Sequence, residues 1–323
     1  MTTGDLAGSL AQVLEPKLGP VTISDLRAVT GGASRTTWSF TADTGDSARR
    51  LILRMGPADE QHSSMGLEAA AISRAAETGT PVPAILVADE SASVLDDPFL
   101  ICDYVAGETL APRILRAIDA DAGRELLRQC VTAIASIHRA DPAGLGLVAT
   151  GPLDDWYPQL AAMDVHNAIF EWVHRWLAAR RPGVSADVLV HGDFRMGNVI
   201  IDTDAPRLAA VLDWELVHLG DRYEDLAWFC IRAWRFGRTE SLGAGGLGAI
   251  DDFVAEYERA SGVAIDRGVL RWWIVQSTLR WGIICCFQAN RHLAGHERSV
   301  ELAAIGRRVA ETEHDLLTLI EEV

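Results

Sequence analysis

The sequence predicts an α+β chain of two lobes, a small antiparallel-sheet N-lobe over residues 1–103 and a larger, mostly helical C-lobe over residues 104–323. Three observations carry this. Short β-branched and aromatic runs surround one helix-like segment between Val21 and Tyr104. Helical periodicity takes over after Gly107. One stretch from Val188 to Glu215, VLVHGDFRMGNVIIDTDAPRLAAVLDWE, breaks the helical half with apolar runs that enclose polar residues at fixed offsets.

In chain order, TTWSFTA and RRLILRM read as strands joined by DTGDSA, which carries the Gly and Asp of a hairpin turn. GLEAAAISRAAETG reads as a helix, and AILVADE and FLICDYV as two further strands. The C-lobe helices are RELLRQCVTAIASIHRA, HNAIFEWVHRWLAARR, DLAWFCIRAWRF, IDDFVAEYERASG, a long Trp-rich segment and RRVAETEHDLLTLIEE. In the Trp-rich segment Trp273, Ser277, Arg280 and Ile284 share a face, which reads as core. SLGAGGLGAI is a loop, and no internal repeat is evident.

With 323 residues, 49% of them hydrophobic, the chain can bury a large core. Its most apolar stretch, WWIVQSTLRWGIICCF, is interrupted by Gln276, Ser277, Thr278 and Arg280, so no membrane span is expected. The start, MTTGDLAGSL, lacks a basic and an apolar signal region, so a cytoplasmic location is expected. Five cysteines without a CxxC pair point to buried reduced thiols, with no disulfide framework or zinc site. A formal net charge of −16 disfavours nucleic acid and anionic membranes as partners. Lys17 is the only lysine, so the positive charge is almost all arginine.

His191, Gly192, Asp193 and Asn198 form HGDxxxxN, and Asp213 follows the apolar run LAAVL. A carboxylate and an amide five residues apart on a loop can face one point, with a second carboxylate arriving from an adjacent strand end. Phosphoryl transfer needs this arrangement: one carboxylate orients the attacking hydroxyl, while an amide oxygen and a carboxylate hold the magnesium that bridges the nucleotide phosphates. These roles are borrowed from the HRDxxxxN loop and DFG aspartate of protein kinases; the spacing belongs to this sequence. Four specified positions arise by accident in roughly one of 500 chains of this length. A polar hairpin accounts for Asp202 and Asp204 but poorly for Asp213.

HGDFRMGNVIID followed by VLDWELVHLGDRYEDLAWF resembles the aminoglycoside phosphotransferase family, whose fold is protein-kinase-like. More narrowly, the sequence is similar to the phosphotransferase-like domains at the N-terminus of some acyl-CoA dehydrogenases and to their free-standing bacterial relatives. The resemblance runs from about Leu26 to the C-terminal helix and is strongest between Leu189 and Phe229. It implies Asp193 as catalytic base and Asn198 and Asp213 as metal ligands. The implied cofactors are ATP or GTP with magnesium, and the implied acceptor is a hydroxylated small molecule.

The N-lobe supplies matching candidates. Gly31 and Gly32, followed by Ser34, could let backbone N–H groups approach phosphate, or could equally be a hairpin turn. Arg54 on RRLILRM stands where protein kinases carry a lysine, and Glu68 on the following helix is its expected partner. Arginine at that strand position resembles the narrower subfamily and departs from the broad fold. FLICDYVAGET resembles the interlobe hinge, where main-chain groups at Asp103, Tyr104 and Val105 would meet the adenine edge; it is otherwise an edge strand entering a loop. Arg195 could neutralise charge on the transferring phosphoryl group, or equally pair with a substrate or a neighbouring acid. His191 is expected to fix the loop, and Asp225 is implied to brace it. Arg280 and His292 near tryptophans would suit an apolar or partly anionic acceptor as well as a polycation; the segment lacks the dense acidic cluster a cationic aminoglycoside would favour, so aminoglycosides are not the first choice.

The sequence therefore predicts an ATP-dependent small-molecule O-phosphotransferase. A nucleotide-binding regulatory protein of the same fold stays open as an alternative. A protein kinase proper is disfavoured by WE in place of FG after Asp213 and by the lack of an APE-like end. The acceptor, ATP against GTP, and the oligomeric state are left open.

Overall fold

The structure, a computed structural model, describes residues 3–29, 35–56, 63–149, 151, 153, 156–184, 187–202 and 204–321. The glycine turn at Gly31, Gly32 and Ser34 lies outside the described residues.

Helix α1 (Thr3–Leu18) leads into strands β1 (Thr22–Ala28), β2 (Thr36–Asp43) and β3 (Ala48–Met55). Helix α2 (Met65–Glu77) and strands β4 (Ile85–Asp89) and β5 (Phe99–Asp103) follow. All five strands form one antiparallel sheet in the order β1-β2-β3-β5-β4. Strands β2 to β5 and helix α2 are those expected from the sequence; α1 and β1 are additional. The signal for α1 was the stripe Leu6, Leu10 and Leu14, all buried at helical spacing. β1 is mostly exposed and its register shifts between Ser24 and Arg27, so it shows no clean alternation.

The pleat of β3 decides what each face of the sheet does. Leu51, Leu53 and Met55 point into the cluster that receives α1. Ile52 joins a second cluster with Met65 at the start of α2, and Arg54, two residues on, therefore points to the α2 side. Ser64 caps α2 by accepting the Leu67 N–H at 3.2 Å, which sets the helix so that Glu68 is buried beneath the sheet.

The C-lobe contains α3 (Ala111–Ala117), α4 (Ala120–Arg139), α5 (Tyr157–Ala162) and α6 (Ala168–Ala179). Strand β6 (Asp187–Val190) pairs with β9 (His218–Asp221), and between them lies the hairpin of β7 (Val199–Asp202) and β8 (Arg207–Val211). Helices α7 (Tyr223–Cys230), α8 (Ile250–Ser261), α9 (Arg267–Leu293), α10 (Val300–Gly306) and α11 (Val309–Glu321) complete it. DLAWFCIRAWRF is not the single helix its sequence suggests. The chain turns extended at Ile231 and resumes as a 3₁₀ turn at Arg232–Arg235. The Phe229 carbonyl, which would have continued the helix, accepts the Gly245 N–H at 3.0 Å from the loop before α8.

Trp272 and Trp273 are buried, as core residues of α9 should be. The five cysteines are free and buried. Among the described residues no helix is long and apolar enough to cross a membrane.

The sheet joins the helical lobe through a short linker. Glu108 exchanges two main-chain hydrogen bonds with Ile201 of β7, at 2.9 and 3.0 Å. Gly107 before it has φ +147°, and a Cβ there would lie 2.5 Å from Ile200 Cγ2 and 2.7 Å from the Ile201 carbonyl oxygen. Gly107→Ala should therefore destabilise the protein by about 2–4 kcal/mol, read as a lower urea midpoint in equilibrium unfolding. An unchanged midpoint would mean that this junction is not close-packed.

Candidate active site

Strand β6 delivers the chain to the loop His191–Asn198, and helix α7 holds that loop from beneath. Asp225, fully buried, accepts the His191 N–H at 2.8 Å and the Gly192 N–H at 2.9 Å. Its Oδ2 also accepts from His138 Nε2 on α4 at 3.2 Å, and His138 Nδ1 is bonded to the Tyr257 hydroxyl of α8 at 2.8 Å. Burial pushes the Asp225 carboxyl up, but the bonds from His138 and the proximity of His191 hold it below the ordinary aspartate value. Gly192 has φ +82°, and a Cβ would stand 2.5 Å from the Leu216 carbonyl oxygen, so the turn requires glycine. His191 Nε2 donates to the Leu212 carbonyl at 2.9 Å and Nδ1 accepts the Asp193 N–H at 3.2 Å. The histidine thus ties the loop to the strand end that carries Asp213.

Phe194 and Met196 are fully buried and alternate with Asp193 and Arg195, which are kept partly exposed. The Asp193 carboxylate meets three donors. Trp228 Nε1 donates to Oδ1 at 2.6 Å, Asn198 Nδ2 donates to Oδ2 at 2.6 Å, and Arg195 Nε lies 3.0 and 3.2 Å from the two oxygens. Asn198 Nδ2 also reaches the Asp193 carbonyl at 3.0 Å, which leaves the amide oxygen as the end available to a cation. The Leu212 N–H donates to the Asn198 carbonyl at 2.8 Å, so the metal-ligand candidates Asn198 and Asp213 stand side by side.

Asp213 adopts φ +66°, a left-handed conformation that non-glycine residues seldom take outside turns and functional sites. The next residue, Trp214, is fully buried against His191, with Nε1 donating to the Val211 carbonyl at 3.2 Å. Anchoring Trp214 turns its two neighbours outward together. Arg54 donates from one terminal nitrogen to Glu68 at 2.9 Å and from the other to Asp213 at 3.1 Å, with Glu215 at 3.6 Å. Arg35 approaches the other Glu68 oxygen at 3.7 Å and donates to the Ser63 carbonyl at 2.7 Å. Burial, with Glu215 and Asp213 nearby, pushes the Glu68 carboxyl up to about 7 against the pull of Arg54 and Arg35. Burial works against the Arg54 charge, but the three carboxylates hold its pKa above the ordinary value. Sequence reasoning missed Arg35, Glu215 and Trp228. Glu215 was visible in principle as the i+2 partner of Asp213 across a tryptophan.

The hinge candidates do not all remain available to a ligand. The Asp103 N–H donates to Ala84 and the Tyr104 N–H to Arg50, at 3.0 and 3.1 Å. Their side chains are engaged as well, Asp103 in a bidentate pair with Arg49 and Tyr104 beneath the Arg50 guanidinium. Among the described residues the Val105 N–H has no main-chain partner. The Asn198 amide oxygen and the Asp213 carboxylate are donors of the type magnesium accepts when phosphates supply further ligands. Among the described residues no three His, Cys, Asp or Glu side chains converge on a metal site.

Arg280 and His292 do not form the acceptor pocket that the Trp-rich segment suggested. Arg280 is buried, donates to Glu224 at 2.8 Å and to the Gly192 carbonyl at 3.1 Å, and lies over the Trp228 and Trp156 rings. His292 accepts the Ser299 N–H at 3.1 Å. Glu224 also pairs with His218 at 3.0 Å. Burial opposes the imidazolium, but Glu224 overcomes it and raises the His218 pKa to about 9. Because the folded value exceeds the ordinary 6.5, the pair stabilises fully below about pH 6.5 and is lost as pH rises through about 9. His218→Gln should therefore cost up to about 3 kcal/mol at pH 6, with the two stability curves converging above pH 9. Urea unfolding across that range checks it, and a pH-independent difference would refute the ion pair.

The family model of the phosphotransferase enzyme family matches residues 25–273. The Probable acyl-CoA dehydrogenase IBR3 of Arabidopsis thaliana is 24% identical over 308 residues, covering 84% of this chain and 37% of that protein. Acyl-CoA dehydrogenase family member 10 of Mus musculus is matched over only 18% of its length, so the chain spans well under half of these relatives. A Ralstonia eutropha chain assigned as an aminoglycoside phosphotransferase superposes with a TM-score of 0.80 at 22% identity, covering 99% of this chain and 98% of that one. Spectinomycin phosphotransferase, solved with ADP and spectinomycin, superposes with a TM-score of 0.65 at 11% identity, over 97% and 98% of the two chains. These likenesses establish the protein-kinase-like fold. The family match extends from the sheet through the His191–Asn198 loop into α9, and the chain belongs to the phosphotransferase enzyme family.

Proposed function

We propose that the protein is an ATP-dependent O-phosphotransferase that acts on a hydroxyl of a small molecule. The observation that carries this is the Leu212–Asn198 main-chain bond, which holds the loop of Asp193 and Asn198 against Asp213, while Arg54 reaches Asp213 from the sheet. ATP is the proposed donor, with GTP as the alternative; the spectinomycin enzyme of the same fold was solved with ADP. The hinge between residues 1–103 and 104–323 would receive the base through Val105, and Gly31, Gly32 and Ser34 are the sequence candidates for phosphate contact. Free buried cysteines suit a reducing cytoplasm.

Asn198 and Asp213 would hold magnesium, which supplies charge neutralisation and orientation of the phosphates when bound. Asp193 orients the acceptor hydroxyl and takes its proton as the new O–P bond forms and the bond to the nucleotide leaving oxygen breaks. Arg54, kept in place by Glu68, turns toward the phosphates. Arg195, beside Asp193, offsets the charge on the transferring group.

Calorimetry of MgATP binding to wild type and Asp213→Ala tests this directly. Wild type should bind only with magnesium, and the variant should lose at least about tenfold in affinity. Asp193→Ala should still bind but transfer phosphate to hydroxylated metabolites about 100-fold or more slowly. Binding without turnover in wild type would favour a regulatory nucleotide-binding protein, and no binding of either nucleotide would end the kinase assignment.

A further inference from the structure

Helix α7 grips three consecutive residues of the loop. Asp225 takes the N–H groups of His191 and Gly192, and three residues along the same helix Trp228 donates its indole N–H to the Asp193 carboxylate at 2.6 Å. Residues three apart share a helix face, so one face sets both the loop backbone and the side chain at its centre. We propose that Trp228 is a positioning residue that fixes the orientation of the Asp193 carboxylate for proton transfer. The proposal rests on Asp193 being the base.

The choice of tryptophan has a physical reason. An indole N–H only donates, so it neither takes a proton from Asp193 nor adds a charge that would cancel the carboxylate. Trp228 is 2% exposed and Asn198 5%, and they hold opposite oxygens of the carboxylate, Oδ1 and Oδ2. The third donor, Arg195, is a quarter exposed and rests its guanidinium on the Trp234 ring, 4.7 Å from the centroid. Of the three, Arg195 alone has the freedom to yield its place to an acceptor hydroxyl, while Trp228 and Asn198 keep the carboxylate from rotating. Trp228 is itself fixed by packing. Its ring lies 5.4 Å from that of Trp234 and 6.5 Å from that of Trp281, and Arg280 sits over it.

Two measurements test the role. In protein labelled with ¹⁵N-tryptophan, the Trp228 indole resonance, assigned through Trp228→Phe, should lie downfield and move upfield in Asp193→Ala. In MgATP hydrolysis with water as acceptor, Trp228→Phe should lower kcat about tenfold and leave the KM for MgATP within about twofold. Trp281→Phe, the same ring loss in the same cluster, should leave kcat within about twofold of wild type. An indole resonance indifferent to Asp193→Ala would overturn the proposal whatever the kinetics of the tryptophan variants. So would equal kcat in Trp228→Phe and Trp281→Phe. If Asp193→Ala hydrolyses ATP as wild type does, the base assignment fails and takes this role with it. A deficient Asp193→Ala beside a wild-type Trp228→Phe would overturn the positioning role alone.

Discussion

Asp225 carries a carboxylate with no exposure to water, and a buried charge of that kind is tolerated only where hydrogen bonds replace its hydration. The donors available are the His191 and Gly192 N–H groups and the His138 ring, so satisfying Asp225 and shaping the His191–Asn198 loop are the same event. Removing the carboxylate would orphan two loop N–H groups as well as Nε2 of His138. The loop in turn fixes His191 on Leu212 and Asn198 on the same residue, and through them the strand end that bears Asp213. A single buried anion thus organises most of the C-lobe side of the site.

On the N-lobe side the corresponding centre is Arg54. An ammonium group offers one nitrogen, whereas the guanidinium presents two terminal nitrogens in a fixed plane. Arg54 uses one for Glu68 and the other for Asp213 and Glu215, spanning α2, the sheet and the strand end beside the His191–Asn198 loop. Arginine in place of the lysine of protein kinases is therefore matched to its surroundings, because Glu215 supplies an acid where those enzymes have glycine. Arg35 adds a second cation beside Glu68, so that buried carboxylate does not depend on Arg54 alone.

Much of this was legible in the sequence. Strand and helix periods place β2 to β5, α2 and most of the C-lobe helices, and HGDxxxxN with Asp213 marks the site because its polar residues stand between runs that must be core. The resemblance adds the roles proposed for Asp193, Asn198, Asp213, Arg54 and Glu68. Less was readable where local pattern is weak or shared. β1 shows no clean alternation, and the helical period of DLAWFCIRAWRF does not reveal the break that Gly245 imposes at Ile231.

What the sequence determined by itself are the properties of contiguous residues: alternation, loop spacing, and the charge and chemistry of each candidate. What only the tertiary structure decided is which distant groups spend themselves on one another. Arg280 could have faced an acceptor, but packing of α9 against α7 turns it to Glu224 and the Gly192 carbonyl. Trp228 could have been an ordinary core ring, but the depth of α7 beneath the loop brings its N–H to Asp193, 35 residues away. Such pairings depend on distances set by the whole fold, and a one-dimensional pattern carries no record of them.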